Sequence, residues 1–347
     1  MSDSTNIINS LPREGRGGVR VIGIGETVLD IIFSEDQPQK AVPGGSTFNA
    51  LISLGRVLQH LPEAGRPTVS MITETGDDHI GQIITSFMRE NHVSTELVTI
   101  NRGTQSHLSL AFLDEQHNAQ YEFYKDHASA RLDPDLLSSS LLSTFTSRDI
   151  VLFGSFFAIN PVLRDYTRSL FTAAHDAGAT LYYDINFRRS HIKDIPATIA
   201  NLEENMRLST IVRGSAEDFG YLYGTADPRQ VYLEHIRPCC PLFICTDGGG
   251  PVSLFAPNSD SPGTFVEAQI PSPHVGHVVS TIGAGDNFNA GIVYALATQG
   301  ITRQQLQALP CSGAAGGDFL SLIDCALRFS SHVVQRMDNY VDVTFHP

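Results

Sequence analysis

The stretch Ser280-Thr-Ile-Gly-Ala-Gly-Asp-Asn-Phe288 puts two glycines and an alanine directly before a carboxylate. Beyond it, Phe288, Ile292, Ala295 and Leu296 recur at helical spacing until Gly300, a residue suited to ending a helix. Gly283, Ala284, Gly285 and Asp286 are therefore expected at a helix N-terminus. Backbone N–H groups there have no partner within the helix, and small residues let an anion approach them, so this end stabilises negative charge on a phosphoryl group. An acid in the first turn cannot hold a phosphate itself. It either caps the helix or accepts the proton of a hydroxyl attacking that phosphate. Taken alone, the stretch also describes an ordinary Gly-rich turn with a capping Asp.

A second Gly-rich entrance to a helix, Pro43-Gly-Gly-Ser-Thr-Phe-Asn49, lies far upstream and places Asn49 in a first turn. Gly44 and Gly45 suit close approach of the backbone to a polyhydroxylated ligand. Before them, Gly23-Ile-Gly-Glu-Thr-Val-Leu-Asp30 leaves a carboxylate just past a strand, able to accept sugar hydroxyl protons or to stand as a solvated turn acid. Gly23-x-Gly25 suggests dinucleotide binding as well, but the third glycine of that fingerprint is missing because position 28 is Val.

Short apolar runs at 19–25, 68–72, 149–153, 180–183, 210–212 and 242–245 alternate with segments long enough for helices, which predicts an α/β fold with a parallel sheet covered on both faces. Residues 106–124 break the alternation with two strand-like runs around a polar turn, a hairpin outside the main sheet. Residues 31–42 are similarly extended and end at Pro43, so the two segments are expected to build a small lid. The Pro/Ser/Asp/Gly segment at 257–263 reads as a loop.

The bulk composition excludes several classes. With 347 residues, 41% of them hydrophobic, the chain can bury a large core. A net charge of −14 argues against sequence-independent nucleic-acid binding, which needs clustered Lys and Arg. No apolar run approaches the roughly 20 residues that span a bilayer. Cys239, Cys240, Cys245, Cys311 and Cys325 are odd in number and lack CxxC spacing, as expected of reduced thiols in a cytoplasmic protein. Residues 1–18 are polar and read as a flexible tail rather than a signal peptide. The thirteen histidines show no paired ligand spacing.

In order along the chain, GIGETVLD, PGGSTFNA, YDINFRR, TDGGGP and STIGAGDNF resemble the motifs of the ribokinase-like, or PfkB-type, carbohydrate kinases. The resemblance implies a three-layer α/β fold with a mostly parallel central sheet and a small β lid, over one kinase domain at 19–341 followed by a C-terminal tail at 342–347. It implies an enzyme that moves the γ-phosphate of ATP, with Mg²⁺, to a sugar hydroxyl. Asp286 then matches the catalytic base, and Gly283, Ala284 and Gly285 match the anion hole. Asp30, Gly44, Gly45 and Asn49 match sugar-binding positions, and Arg188 in the DINFRR run matches a residue that orients substrate or phosphate oxygens. Thr246, Gly248 and Gly250 fall on a nucleotide-side turn, and Ser331 falls on an adenine-flanking helix. With Ser155 and the lid runs Phe112-Leu-Asp-Glu and Tyr121-Glu-Phe-Tyr124, the pattern is most similar to the fructokinase and 2-keto-3-deoxygluconate kinase branch. Fructose is the expected substrate, with 2-keto-3-deoxygluconate, ribose or a nucleoside as alternatives, and the lid is the expected homodimer surface.

The chain departs from the family at named positions. Ser215 and Asp218 replace the Asn and Glu of the NxxE element that orders Mg²⁺ and phosphate, with Glu217 adjoining. Ser280 and Ile282 stand where cation-activated members carry Asp and Thr, and an apolar Ile282 cannot ligate K⁺. These departures motivate a different class of reading, a catalytically weak member that binds sugar or nucleotide. A nicotinamide-dependent oxidoreductase rests on Gly23-x-Gly25 alone.

Overall fold

The computed structural model describes residues 18–34, 36–113, 119–124, 137, 139–258, 261, 263–307 and 319–347. Residues 1–17 of the expected N-terminal tail, Asp114 and Glu115 of the lid turn, and Cys311 lie outside them.

The strands in chain order are β1 (Arg20–Ile24), β2 (Val28–Ser34), β3 (Gln37–Gly44), β4 (Thr68–Gly76), β5 (Val98–Asn101), β6 (Leu108–Leu113), β7 (Ala119–Tyr124), β8 (Asp149–Gly154), β9 (Thr180–Asp184), β10 (Ile211–Ser215), β11 (Phe243–Thr246), β12 (Val252–Pro257) and β13 (Phe265–Ile270). Among the described residues these form two sheets. Nine strands run in the order β13-β12-β11-β10-β9-β8-β1-β4-β5, and four run β3-β2-β6-β7. All the neighbours from β10–β11 across to β4–β5 are parallel. β12 and β13 then add an antiparallel edge. With that edge the sheet is mostly parallel, as the family resemblance implies.

The helices are α1 (Ser46–Leu58), α2 (His79–Glu90), α3 (Ser139–Leu142), α4 (Ser155–Ile159), α5 (Arg164–Asp176) and α6 (Ile195–Leu208). They continue with α7 (Ala216–Tyr223), α8 (Pro228–Val231), α9 (Ala284–Gln299), α10 (Arg303–Gln307) and α11 (Phe319–Val333). The central strands are apolar on both faces because both are covered. On β8, Ile150 and Leu152 pack into a core shared with α1, α9 and α11. Val151 and Phe153 pack oppositely, into a core shared with α5, α6 and α7. The phenyl ring of Phe153 sits 4.0 Å from that of Phe171 and 5.0 Å from that of Tyr183.

The second sheet is the lid. Where an extended segment at 31–43 was expected, the chain makes a full antiparallel hairpin, β2 against β3, beginning at Val28. Its turn carries Asp36 at φ 58°, a left-handed conformation that Asp tolerates better than most residues. The expected hairpin at 106–124 is β6 and β7, and β6 joins β2 in parallel. Phe33 and Phe112 stack across that join at 5.0 Å. The segment at 342–347 is docked, with Phe345 packed edge-on against Phe329 at 4.9 Å. Among the described residues no helix is long and apolar enough to cross a membrane.

Candidate active site

The two Gly-rich helix entrances meet at the carboxyl ends of the parallel strands, at the base of the lid. Asp30 lies on β2, where it is buried and accepts a hydrogen bond from Ser109 Oγ of β6. Gly44, at the end of β3, abuts its carboxylate so closely that a Cβ there would clash with it. Gly45 caps α1 at φ 125°, and a Cβ on it would lie 2.5 Å from the Glu26 carbonyl oxygen. Both glycines are thus required by close approach, not by turn propensity alone. Asn49 N–H returns to Gly45 O at 2.8 Å, which fixes the first turn of α1 and aims the Asn49 amide at α9.

Asp286 occupies the first turn of α9 and accepts from Asn49 Nδ2 at 2.8 Å, across 237 residues of sequence. The Oδ1 of Asn49 is buried and has no hydrogen-bond partner among the described residues. An acceptor left open beside a carboxylate is suited to a ligand hydroxyl. Gly283 caps the helix in the left-handed region at φ 77°, and a Cβ there would meet Asn339 O at 2.8 Å. Ala284 N–H reaches Thr281 O at 3.3 Å and Asn287 N–H reaches Gly283 O at 2.9 Å. Between them, the N–H groups of Gly285 and Asp286 find no acceptor among the described residues. Those two are the donors most available to an anion at this helix end.

The loop end is held from below. Asn287 Nδ2 donates to both Gly283 O and Asn339 O at 2.8 Å, and its Oδ1 accepts from Ser53 Oγ at 2.5 Å. Ser53 Oγ in turn accepts from Val341 N–H at 3.1 Å, and the Tyr340 hydroxyl donates to Pro43 O. The segment around Tyr340 therefore ties the two entrances together.

Charge at the site is arranged by burial. Burial pushes the Asp286 carboxyl above its ordinary value; the Asn49 amide and the Arg188 charge pull it back, and Asp184 pushes it further. Burial raises Asp30 to about 6, opposed by the Ser109 hydrogen bond and reinforced by Asp286 and Glu26. Asp286 thus acts on Asp30, and both carboxylates feel Arg188, which is exposed at the mouth. Backbone strain gathers at the same edge: Ser155, after β8, and Asn186, after β9, both hold positive φ, at 55° and 38°.

Among the positions matched to the nucleotide, Ser215 and Thr246 are register partners at the ends of β10 and β11. Thr246 Oγ1 accepts from Arg213 at 2.6 Å. Gly248, at φ 48°, and Gly249 lie in an open turn. Ser215 and Asp218 form a capping box at α7: Asp218 N–H donates to Ser215 Oγ at 3.1 Å, and Ser215 N–H to Asp218 Oδ2 at 2.7 Å. Burial raises Asp218 to about 6, and Asp184 adds to the effect. Glu217 is exposed and accepts from its neighbour Tyr221, so it stands apart from this cluster. Ser331 lies half-buried on α11, with its carbonyl accepting from Gln335. Among the described residues no three His, Cys, Asp or Glu side chains come together as a metal site. Asp218 Oδ2 is engaged in the cap and Glu217 is turned outward to Tyr221, so neither is gathered with a second carboxylate around a common point.

The profile of the pfkB family of carbohydrate kinases matches residues 20–342. This chain belongs to that family. It is a phosphotransferase acting on a sugar hydroxyl. It is 26% identical over 295 residues to a fructokinase of Rhizobium leguminosarum bv. trifolii, covering 83% of each chain. In fold it is similar to a Xylella fastidiosa fructokinase with bound ATP, at a TM-score of 0.71 and 20% identity over 92% of each chain. It is also similar to a putative ribokinase II from E. coli in complex with ATP and Mg²⁺, at a TM-score of 0.70 and 18% identity, covering 92% of this chain and 94% of that one.

In this pfkB kinase, several residues that support the site are given no role by the sequence motifs. Arg213 follows the apolar run that ends at Val212, and a charge inside a buried parallel strand is its signal in the sequence. Asn287 and Asn289 flank Phe288 in an otherwise apolar helix, another polar intrusion that a buried network explains. Tyr340 carried no signal of its own.

Proposed function

We propose that this pfkB kinase transfers the γ-phosphate of ATP to a hydroxyl of a small ketose, fructose first, with Asp286 as general base. The observation that carries the reading is the juxtaposition at α9. A buried carboxylate with a raised pKa stands beside two unpaired backbone N–H groups, and an Asn with an open acceptor bridges it to the lid-side helix. Asp30 and Asn49 would hold the sugar hydroxyls. Asp286 would take the proton of the attacking hydroxyl as its oxygen bonds to the γ-phosphorus. The bond from phosphorus to the β-γ bridging oxygen breaks, and ADP leaves with that oxygen. Gly285 and Asp286 N–H groups would stabilise the charge on the transferring group. Mg²⁺ is assigned to the nucleotide as part of the substrate, and no step is assigned to a metal held by the protein.

The exposed Arg188, felt electrostatically by both Asp30 and Asp286, favours a second reading, a sugar acid such as 2-keto-3-deoxygluconate whose carboxylate it would meet. ADP release with fructose, ribose, 2-keto-3-deoxygluconate, tagatose 6-phosphate and adenosine, with and without K⁺, separates these readings. Fructose is expected to give the highest kcat/KM, and turnover is expected without K⁺. Asp286→Asn is expected to lower kcat roughly 10³-fold on the best substrate while the protein stays folded. Retained turnover in that variant would falsify the assignment of the base.

A further inference from the structure

Behind the anion hole lies a buried cation that the proposed chemistry does not touch. Arg213, on β10, is 6% exposed. Its Nη1 donates to Asp184 Oδ1 at 3.0 Å and its Nη2 to Thr246 Oγ1 at 2.6 Å, so one planar fork spans the ends of β9 and β11. The other oxygen of Asp184 accepts from Asn289 Nδ2 at 2.7 Å, and Asn289 Oδ1 accepts from the Tyr182 hydroxyl at 3.0 Å. Asn289 belongs to α9. The guanidinium also lies under the first turns of that helix, 5.8 Å from the Phe288 ring centre. A Cβ on Gly285 would sit 3.1 and 3.2 Å from its two Nη atoms. The absence of a side chain at 285 therefore serves two faces at once: phosphate can approach from the open side, and Arg213 can press up from the core.

Burial alone would lower the Arg213 pKa, but Asp184, Tyr182 and Asp218 more than offset it and hold the cation charged. Without Arg213, the buried Asp184 and Asp218 would face the phosphate site uncompensated. The network links three pieces that must agree in position during transfer: the strand that ends at Asp184, the nucleotide-side turn that begins at Thr246, and the helix end that presents Gly285.

We propose that Arg213 is a positioning residue for phosphoryl transfer, a forked cation that holds the Thr246 turn and the Gly285 helix end in one register. This rests on the reading of residues 283–286 as the transfer centre. Arg213 acts through Thr246, Asp184 and Gly285, and it binds no phosphate oxygen directly.

A charge-pair deletion series separates this role from a merely structural one. Arg213→Met leaves Asp184 buried and unpaired, so it is expected to lower the melting temperature. Arg213→Met combined with Asp184→Asn removes both charges and is expected to recover most of that loss. In the double variant kcat is expected to stay on the order of 10-fold or more below wild type, and ADP to bind more weakly while adenosine, which lacks phosphates, binds as before. Recovery of kcat together with the melting temperature overturns the proposal. Arg213→Lys keeps a charge but not the fork, so it folds with a lowered kcat and a raised KM for ATP; wild-type constants in that variant overturn the proposal as well. Asp286→Asn is measured beside them. If it turns over normally, the reading of the transfer centre fails, and Arg213 is then judged on the ADP and adenosine affinities alone.

Discussion

The entrances to α1 and α9 use the same device against opposite charges. At α1, Gly44 lets the chain close onto the Asp30 carboxylate. At α9, Gly285 lets it close onto the Arg213 guanidinium. A glycine backed by an acid suits neutral hydroxyl groups, which donate to the carboxylate. A glycine backed by a base suits a phosphoryl group gathering negative charge. The bond from Asn49 to Asp286 joins the two halves where a hydroxyl would meet a phosphorus atom. Sugar and nucleotide preferences should therefore be separable by mutation.

The strongest way to break this comparison is Asp30→Asn, which removes the acid behind the first glycine. It is expected to raise the sugar KM by about 100-fold and leave the KM for ATP within a factor of about two, since loss of a hydrogen bond to a charged group costs about 1.5–3 kcal/mol. Equal weakening toward both substrates would dissolve the distinction. The same variant tests the electrostatics. The folded state lifts Asp30 from 3.8 to about 6, so it binds the proton more tightly than the unfolded chain does. The stability contributed by Asp30 is full below pH 3.8, is lost as pH rises toward 6, and stays lost above. Thermal unfolding of Asp30→Asn should therefore gain on wild type through that window, and the gain should be level at higher pH.

Gly44→Ala comes next, because its Cβ has nowhere to go but the Asp30 carboxylate. A destabilisation of about 1–3 kcal/mol in denaturant unfolding is expected, with a raised sugar KM. Asn49→Ala should lower kcat about 10-fold. It also removes a hydrogen bond that holds the Asp286 pKa down, so the acid limb of the pH–rate profile should move to higher pH. Gly285→Ala is the mildest. Its contacts at 3.1 and 3.2 Å require the guanidinium to give by only a few tenths of an ångström, so a several-fold rise in the KM for ATP with an unchanged sugar KM is expected.

The sequence made the central strands legible because parallel strands buried on both faces are apolar without interruption, and each expected run lies on a strand of the main sheet. The lid was legible as a hairpin at 106–124 but only as an extended segment near 31–43, since nothing in Ser34, Asp36 and Gln37 announces a turn as Asn-Gly would. The glycines and Asp286 could be read because helix starts obey local rules. Arg213 and Asn289 show only as polar intrusions in apolar runs, and Tyr340 not at all. Their meaning lies in partners 29 to 297 residues away, and periodicity carries no information at that range.

The bond from the Tyr340 hydroxyl to Pro43 O closes a loop of nearly the whole chain, and Asn339 sits beneath Gly283 in the same segment. Contacts of such separation are entropically the costliest to make and tend to form late in folding. The central sheet can assemble from neighbouring strand–helix units while the two helix entrances are still apart. In refolding, recovery of secondary structure should then precede recovery of catalysis. Competence to transfer phosphate is thus a property of the finished topology, set when the final segment docks between the halves of the site.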